Sequence, residues 1–373
     1  MIYLNKPYFD QDELDEIKKT FDSGWVAGQG PKSIELAEYT KKITETNFAI
    51  PLNNCTAALH LALIAIGIKP EDEVIVSDYT YPATGHSVLY CGAKPRFADV
   101  KLDSYNMDVE SLKKLINKNT KAIIVVHALG QMADMTSIMA VAKEHNLKVI
   151  EDAACAMGAK HNDKVAGSYG DITCFSFHAR KNATSGEGGI LVTNNEEYAD
   201  TVSSLSCFGT GSAYKRQQTF QIPSFTQLGY NYKMADINCA IVLAQLKKYP
   251  KFLERKRELI KIYNNAFKNS PYITSPKELE NNYHVYQTYA VTLNEKIDRY
   301  KMILSLKEDE IQTQIGTYSS HIQPIYNSND KCPNALHLYN NSLALPLYYE
   351  ITEEQINTVI ERVDYHIRKQ LEG

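Results

Sequence analysis

The segment Cys174–Gly189, CFSFHARKNATSGEGG, decides the fold. An apolar run ends near Ser176, Lys181 follows, and a glycine-rich turn leads into a second apolar run, GGILVTN. Two short apolar runs this close in sequence read as neighbouring strands, one of which can be antiparallel to the other. A lysine just past a strand end is a useful nucleophile when burial or neighbouring cations disfavour its ammonium. Arg180 is the expected neighbour, provided both side chains face one crevice. A solvated strand-end lysine is the competing reading, and the rest of the chain decides between them.

Working outward, residues 47–192 alternate between strand and helix patterns. The strand-like runs are NFAIPL, DEVIVSD, KPRFADV, KAIIVVHAL and LKVIEDA. Between them lie the helix-like TAALHLALIAIG, PATGHSVLYCG, DVESLKKLIN and MTSIMAVAKEHN. Continuous apolar strands separated by amphipathic segments require a parallel sheet covered on both faces. The expected fold is therefore α/β, a mostly parallel mixed sheet in a three-layer αβα large domain. Past Met234 the pattern changes to a long helix with Pro250 as its expected break or kink. Short strands and helices follow, read as a smaller α+β C-terminal domain. The division is set at 1–245 and 246–373.

Composition narrows the function. At 373 residues the chain is long enough for two cores, and its net charge of −4 supplies no basic field for nucleic acid or an acidic membrane. Seven cysteines form no CxxC pair, which suits reduced thiols and a cytoplasmic setting. The acidic start MIYLNKPYFDQDELDE does not read as a signal peptide, and the most apolar helix is too short to span a bilayer. The ten histidines show no metal-binding spacing, so no metal site is expected. No GxxxxGK or GxSxG sequence occurs, and GEGG does not complete a dinucleotide fingerprint.

Sites in such sheets gather beyond the carboxyl ends of the strands. That rule selects Asn53–Thr56, Asp78–Tyr81, His127–Gln131, Asp152–Cys155 and Ser176–Lys181. Asp152 ends a buried run, where a carboxylate can pair with a protonated ring nitrogen such as that of pyridoxal phosphate. Thr56 opens a helix whose free amides suit a phosphate, and Ser176 can add a hydroxyl. The same Asn-Asn-Cys-Thr also reads as a plain helix cap. Tyr79 and Tyr81 follow a strand, and either can stack on a flat ring or simply fill the core.

Taken in order, SGWVAGQGP, NNCTAALHLAL, DEVIVSDYTYPAT, VIEDAACAMGA, FSFHARKNATSGEGGILVTN and LGYNYKMADINCAIVLAQL resemble the DegT/StrS-type sugar aminotransferases over nearly the whole chain. The resemblance implies a fold-type-I enzyme in which Lys181 holds pyridoxal 5'-phosphate covalently and shuttles a proton. It implies that Asp152 pairs with the pyridine nitrogen, Tyr81 stacks on the ring, and Thr56 and Ser176 contact the phosphate. Asn231 matches a residue that reaches the phosphate from a neighbouring subunit, which implies a homodimer with shared sites. Lysine at 181, rather than the histidine of related dehydratases, implies transamination. The implied amino donor is glutamate, and the implied acceptor is a nucleotide-linked keto-hexose. A small phosphorylated ketone, another keto-sugar, and a non-catalytic regulatory protein are the alternatives.

Two cysteines depart from the pattern. Cys155 stands where relatives often carry glutamine or histidine near the cofactor's phenolic oxygen, and Cys55 replaces a small residue of the phosphate turn. The loop IQTQIGTYSSHIQPIY also differs from the familiar substrate loop. Tyr318, His321 and His284 are the expected acceptor-side contacts.

Overall fold

A computed structural model describes residues 1–210, 222 and 224–372. Its main sheet has seven strands, β1 (Phe48–Leu52), β2 (Glu73–Ser77), β3 (Lys94–Ala98), β4 (Thr120–Val126), β5 (Lys148–Asp152), β6 (Ile172–Ser176) and β7 (Gly189–Thr193). They lie in the order β1-β7-β6-β5-β4-β2-β3. From β6 to β3 every pairing is parallel, whereas β7 runs antiparallel to both β6 and β1. The connection through Lys181, residues 177–188, contains no helix that could cross over the sheet, as a parallel return usually requires.

Strand alternation feeds two cores. Ile75, Ile123, Val125, Val149 and Phe175 pack on one face with Leu36, Ile138 and Cys239. Val74, Val76, Ile124, Ile150 and Cys174 pack on the other with Leu59 and Leu63 of the helix Cys55–Ala65. The result is three layers. That helix ends at Gly67, whose positive φ of 86° carries the chain out of the last turn.

A third core lies beyond. It gathers Tyr289, Val291, Leu343 and Leu345 from a four-stranded antiparallel sheet, with Ile356, Val359 and Val363 from the final helix Glu353–Glu372. The helix Asp236–Phe267 serves both regions. Its first half, through Leu253, packs in the large core, and its second half, from Leu259, packs in the small one. Residue 245 thus falls inside a continuous helix. Of the expected break or kink at Pro250, the break does not occur. Proline removes the amide that would bond the carbonyl of Leu246, and the Tyr39 hydroxyl donates to that carbonyl instead, at 3.3 Å.

A strap from the smaller region returns to the large one. Tyr318–Ser319 pairs antiparallel with Tyr79–Thr80, immediately after β2. This pairing carries the strap to the carboxyl ends of the strands. No helix among the described residues is long and apolar enough to cross a membrane.

Candidate active site

Asp152 closes β5 and is 5% exposed. Its Oδ2 accepts from the Thr84 hydroxyl at 2.7 Å, and its Oδ1 accepts from the Ala154 amide at 3.2 Å. Burial pushes its pKa up, against the pull of these bonds and of Lys181. A carboxylate has about four acceptor positions, so one more donor can be taken. A cationic partner would reverse the upward shift. Thr84 is a partner that the sequence reading missed. It lies in the first turn of the helix Pro82–Tyr90, and only the packing of that turn on β5 brings it to Asp152.

Lys181 follows β6, and its Nζ donates to the Cys155 thiol at 3.1 Å. Burial pulls the ammonium down, but the pull of Cys155, Cys55 and Asp152 outweighs it, and the pKa lies above the ordinary lysine value. The expectation of a disfavoured ammonium is therefore corrected, and so is the role given to Arg180. The Arg180 side chain is exposed and donates to Gln314 Oε1 at 2.9 Å, away from the crevice. Because these partners outweigh burial, the Lys181 nitrogen remains cationic until something binds it.

The helix Cys55–Ala65 begins against this pair. Asn54 is its N-cap, accepting from Ala57 N at 2.8 Å. The cap reading and the phosphate reading coexist, since capping the third amide leaves those of Cys55 and Thr56 available to a ligand. Nearby, Asn53 Oδ1 is buried without a hydrogen-bond partner. Gly189 explains the glycines of GEGG. A Cβ there would sit 2.5 Å from the Asn54 carbonyl carbon and 2.6 Å from Cys55 N, so only glycine lets β7 pass the turn. Cys55 is buried, and burial raises its thiol pKa well above the ordinary value. It acts as a small packed side chain. Half-buried Ser176 ends β6, where its hydroxyl accepts from His178 N at 3.3 Å.

The two tyrosines separate. Tyr79 is fully buried, with its hydroxyl on Ser342 Oγ at 2.7 Å, and is a core residue. Tyr81 is 65% exposed and stands 6.0 Å from the Tyr318 ring in a T-shaped arrangement. These two rings form an aromatic mouth to the crevice. His321 lies beside it, pinned by Asp78. The carboxylate of Asp78 accepts from Ser319 Oγ (2.6 Å), His321 N (2.6 Å) and His321 Nδ1 (2.9 Å). The Asp78 contact raises the His321 pKa.

Asp78, His321 and Cys332 bring their ligating atoms within 4.8 Å of one another, a convergence that histidine spacing did not anticipate. Asp78 and His321 hold each other, and the Cys332 thiol donates to the Phe97 carbonyl at 3.3 Å, so the trio works as a clasp for the strap.

Three sequence-derived candidates lie elsewhere. His284 is 3% exposed, stacks on Tyr286 and accepts from Tyr286 N at 3.0 Å. Burial drops its pKa to about 3, so it is a neutral packing group. His127, picked out by the strand-end rule, turns away from the crevice. It forms a buried pair with Glu151 at 2.8 Å, under the sheet layer that carries Asp152. Asn231 is exposed, and its Oδ1 accepts from Lys233 at 2.7 Å. Exposed Phe208, Phe225 and Leu228 belong to the same part of the chain.

The residues present fit pyridoxal phosphate. A buried carboxylate with acceptor capacity, a lysine nitrogen close enough to feel it, and free helix-start amides are what that cofactor needs. Comparison with known proteins agrees. The sequence profile described as the DegT/DnrJ/EryC1/StrS aminotransferase family matches residues 7–364. GDP-perosamine synthase of Caulobacter vibrioides is 36% identical over 97% of this chain and 97% of its own. Spore coat polysaccharide biosynthesis protein SpsC of Bacillus subtilis is 35% identical over 96% of this chain and 95% of its own. Among solved structures, the PLP form of Spr1654 from Streptococcus pneumoniae superposes with a TM-score of 0.91. Its identity is 27%, and 98% of each chain is covered.

Proposed function

We infer the reaction from one premise: the chain belongs to the DegT/DnrJ/EryC1/StrS aminotransferase family and is a pyridoxal phosphate-dependent aminotransferase of the sugar class. The proposed reaction takes the amino group of an amino acid, L-glutamate first, and delivers it to a nucleotide-linked keto-hexose. The observation that carries it is half-buried Lys181 set close enough to buried Asp152 to feel its charge, behind an aromatic mouth made by Tyr81 and Tyr318.

Pyridoxal phosphate, when bound, supplies an electron sink that lets an amino group leave one carbon and join another. The proposal gives each side chain one task. Lys181 holds the cofactor and later moves a proton with its freed Nζ. Asp152, oriented by Thr84 and the Ala154 amide, would take a charged hydrogen bond from the ring nitrogen. The amides at Cys55 and Thr56, with Ser176, receive the phosphate. Tyr81 would cover the ring, and Cys155, already against Lys181, would face its phenolic oxygen. A thiol is a weaker partner there than glutamine or histidine. At the outer end, Tyr318 and His321 meet the acceptor.

A homodimer in the cytoplasm completes the proposal. The exposed Asn231, with apolar Phe208, Phe225 and Leu228 from the same stretch, supports a second copy that lends Asn231 to the phosphate. Cysteines scattered along the chain with no CxxC spacing support a reducing compartment. The relatives' names, one of them a GDP-sugar enzyme, support a nucleotide-linked acceptor.

The test is the visible absorption of the purified protein before and after L-glutamate, followed by acceptors. The yellow band should bleach with glutamate and recover with a nucleoside diphosphate keto-hexose. Recovery with small ketose phosphates alone would overturn the nucleotide-linked acceptor. A band that ignores glutamate would overturn the donor.

A further inference from the structure

Lys256 is an unexplained buried cation. It lies in the long helix Asp236–Phe267, at 3% exposure, and no carboxylate ion-pairs with it among the described residues. Burying an ammonium against neutral partners is costly, so a sequence that keeps one there gains something local. The Lys256 Nζ donates to Asn182 Oδ1 at 2.6 Å and to the Gln287 carbonyl at 3.2 Å. Asn182 is the residue after Lys181, and the Gln287 side chain donates to the Arg180 carbonyl, the residue before it, at 2.8 Å. Asn182 Nδ2 also donates to the Val285 carbonyl at 3.3 Å. The tether of Lys181 is therefore gripped on both sides through one ammonium.

We propose that Lys256 is a positioning residue for Lys181, holding the Arg180–Asn182 turn to the 285–287 segment and placing a positive charge in the small cavity that Lys181 also lines. This rests on the assignment of Lys181 as the residue that binds the cofactor. A neighbouring cation disfavours protonation of the nitrogen on Lys181. Burial pulls Lys256 down to about 7, so its own charge is poised near neutrality. The titratable groups around it are Cys155, which favours its cation, and His284, whose own protonation it opposes. Lys181, Lys6, Tyr8, Tyr348 and Tyr349 line the small cavity it shares, with Lys6 paired to Glu350 at 2.9 Å. Arg257, next on the helix, is paired with Glu278 at 2.8 Å.

The test is a pH titration of the visible band of the cofactor-loaded protein, for wild type, Lys256→Met, Lys256→Arg and Lys181→Ala, with a thermal melt of each. Lys256→Met should move the midpoint upward by roughly half a pH unit or more, the effect of one shielded like charge in a shared pocket. Lys256→Arg, a permanent cation, should keep the midpoint at or below wild type. If Lys256→Met titrates like wild type, or if Lys256→Arg rises as Lys256→Met does, the proposal falls. Should Lys256→Met not fold, the Lys256→Arg midpoint decides. The Lys181→Ala control separates the premise, because a titrating band that survives in that variant removes Lys181 instead.

Discussion

Replacing Asp78 by asparagine tests the clasp that holds the strap at the crevice mouth. The carboxylate is fully buried and accepts three hydrogen bonds, two from His321 and one from Ser319. Asparagine keeps the shape and one acceptor oxygen but loses the charge, and its amide faces donors. Hydrogen bonds to charged groups contribute about 1.5–3 kcal/mol each, and breaking a buried ion pair costs about 3–5 kcal/mol. A loss of roughly 2–4 kcal/mol is expected for Asp78→Asn. The pH dependence carries the sharper test. Asp78 raises the folded pKa of His321, so the pair's contribution is complete below the unfolded value of about 6.5 and fades as pH rises through the folded one. Urea denaturation at pH 6 and pH 9 should therefore show a larger deficit for the variant at pH 6. An equal deficit at both pH values would refute the charged pair and leave only neutral hydrogen bonding.

Three further outcomes follow from the site. Lys181→Ala should lose covalent cofactor attachment, read by mass spectrometry after borohydride reduction, while the melting temperature stays near wild type, since one half-buried side chain supports little of the core. In Asp152→Asn, cofactor should still bind but turnover should fall by about 10²-fold or more, because a preorganised charge partner is gone; near-normal rates would remove Asp152 from the reaction. Gly189→Ala drives a Cβ into the backbone of Asn54 and Cys55, which cannot give way as a flexible side chain could. That should cost about 1–3 kcal/mol in a melt and weaken cofactor affinity in an absorbance titration.

Much of the fold was legible because its signals are local. Apolar runs bounded by turn residues gave all seven strands of the main sheet, and the short Lys181 connection already allowed an antiparallel neighbour. Pro250 shows where a local rule fails. The hydroxyl that accommodates it belongs to Tyr39, 207 residues away from the carbonyl it satisfies, and no window of sequence contains both. Strand-end placement likewise found Asp152 and Lys181, yet it also selected His127, whose ring turns into the sheet layer to meet Glu151. Which side of a strand end a residue takes depends on the partner waiting there.

By itself the sequence determined the layered α/β architecture and the strand-end positions of the lysine and the carboxylate, because periodicity and strand ends are written along the chain. Tertiary structure alone decided the electrostatics around them. It turned Arg180 outward, set the Cys155 thiol beside Lys181, and gave Asp152 its Thr84 partner. It also buried Lys256 against the Arg180–Asn182 turn and pinned His321 with Asp78. Each of these outcomes joins residues far apart in the chain, and their charges depend on burial and on partners that only folding supplies.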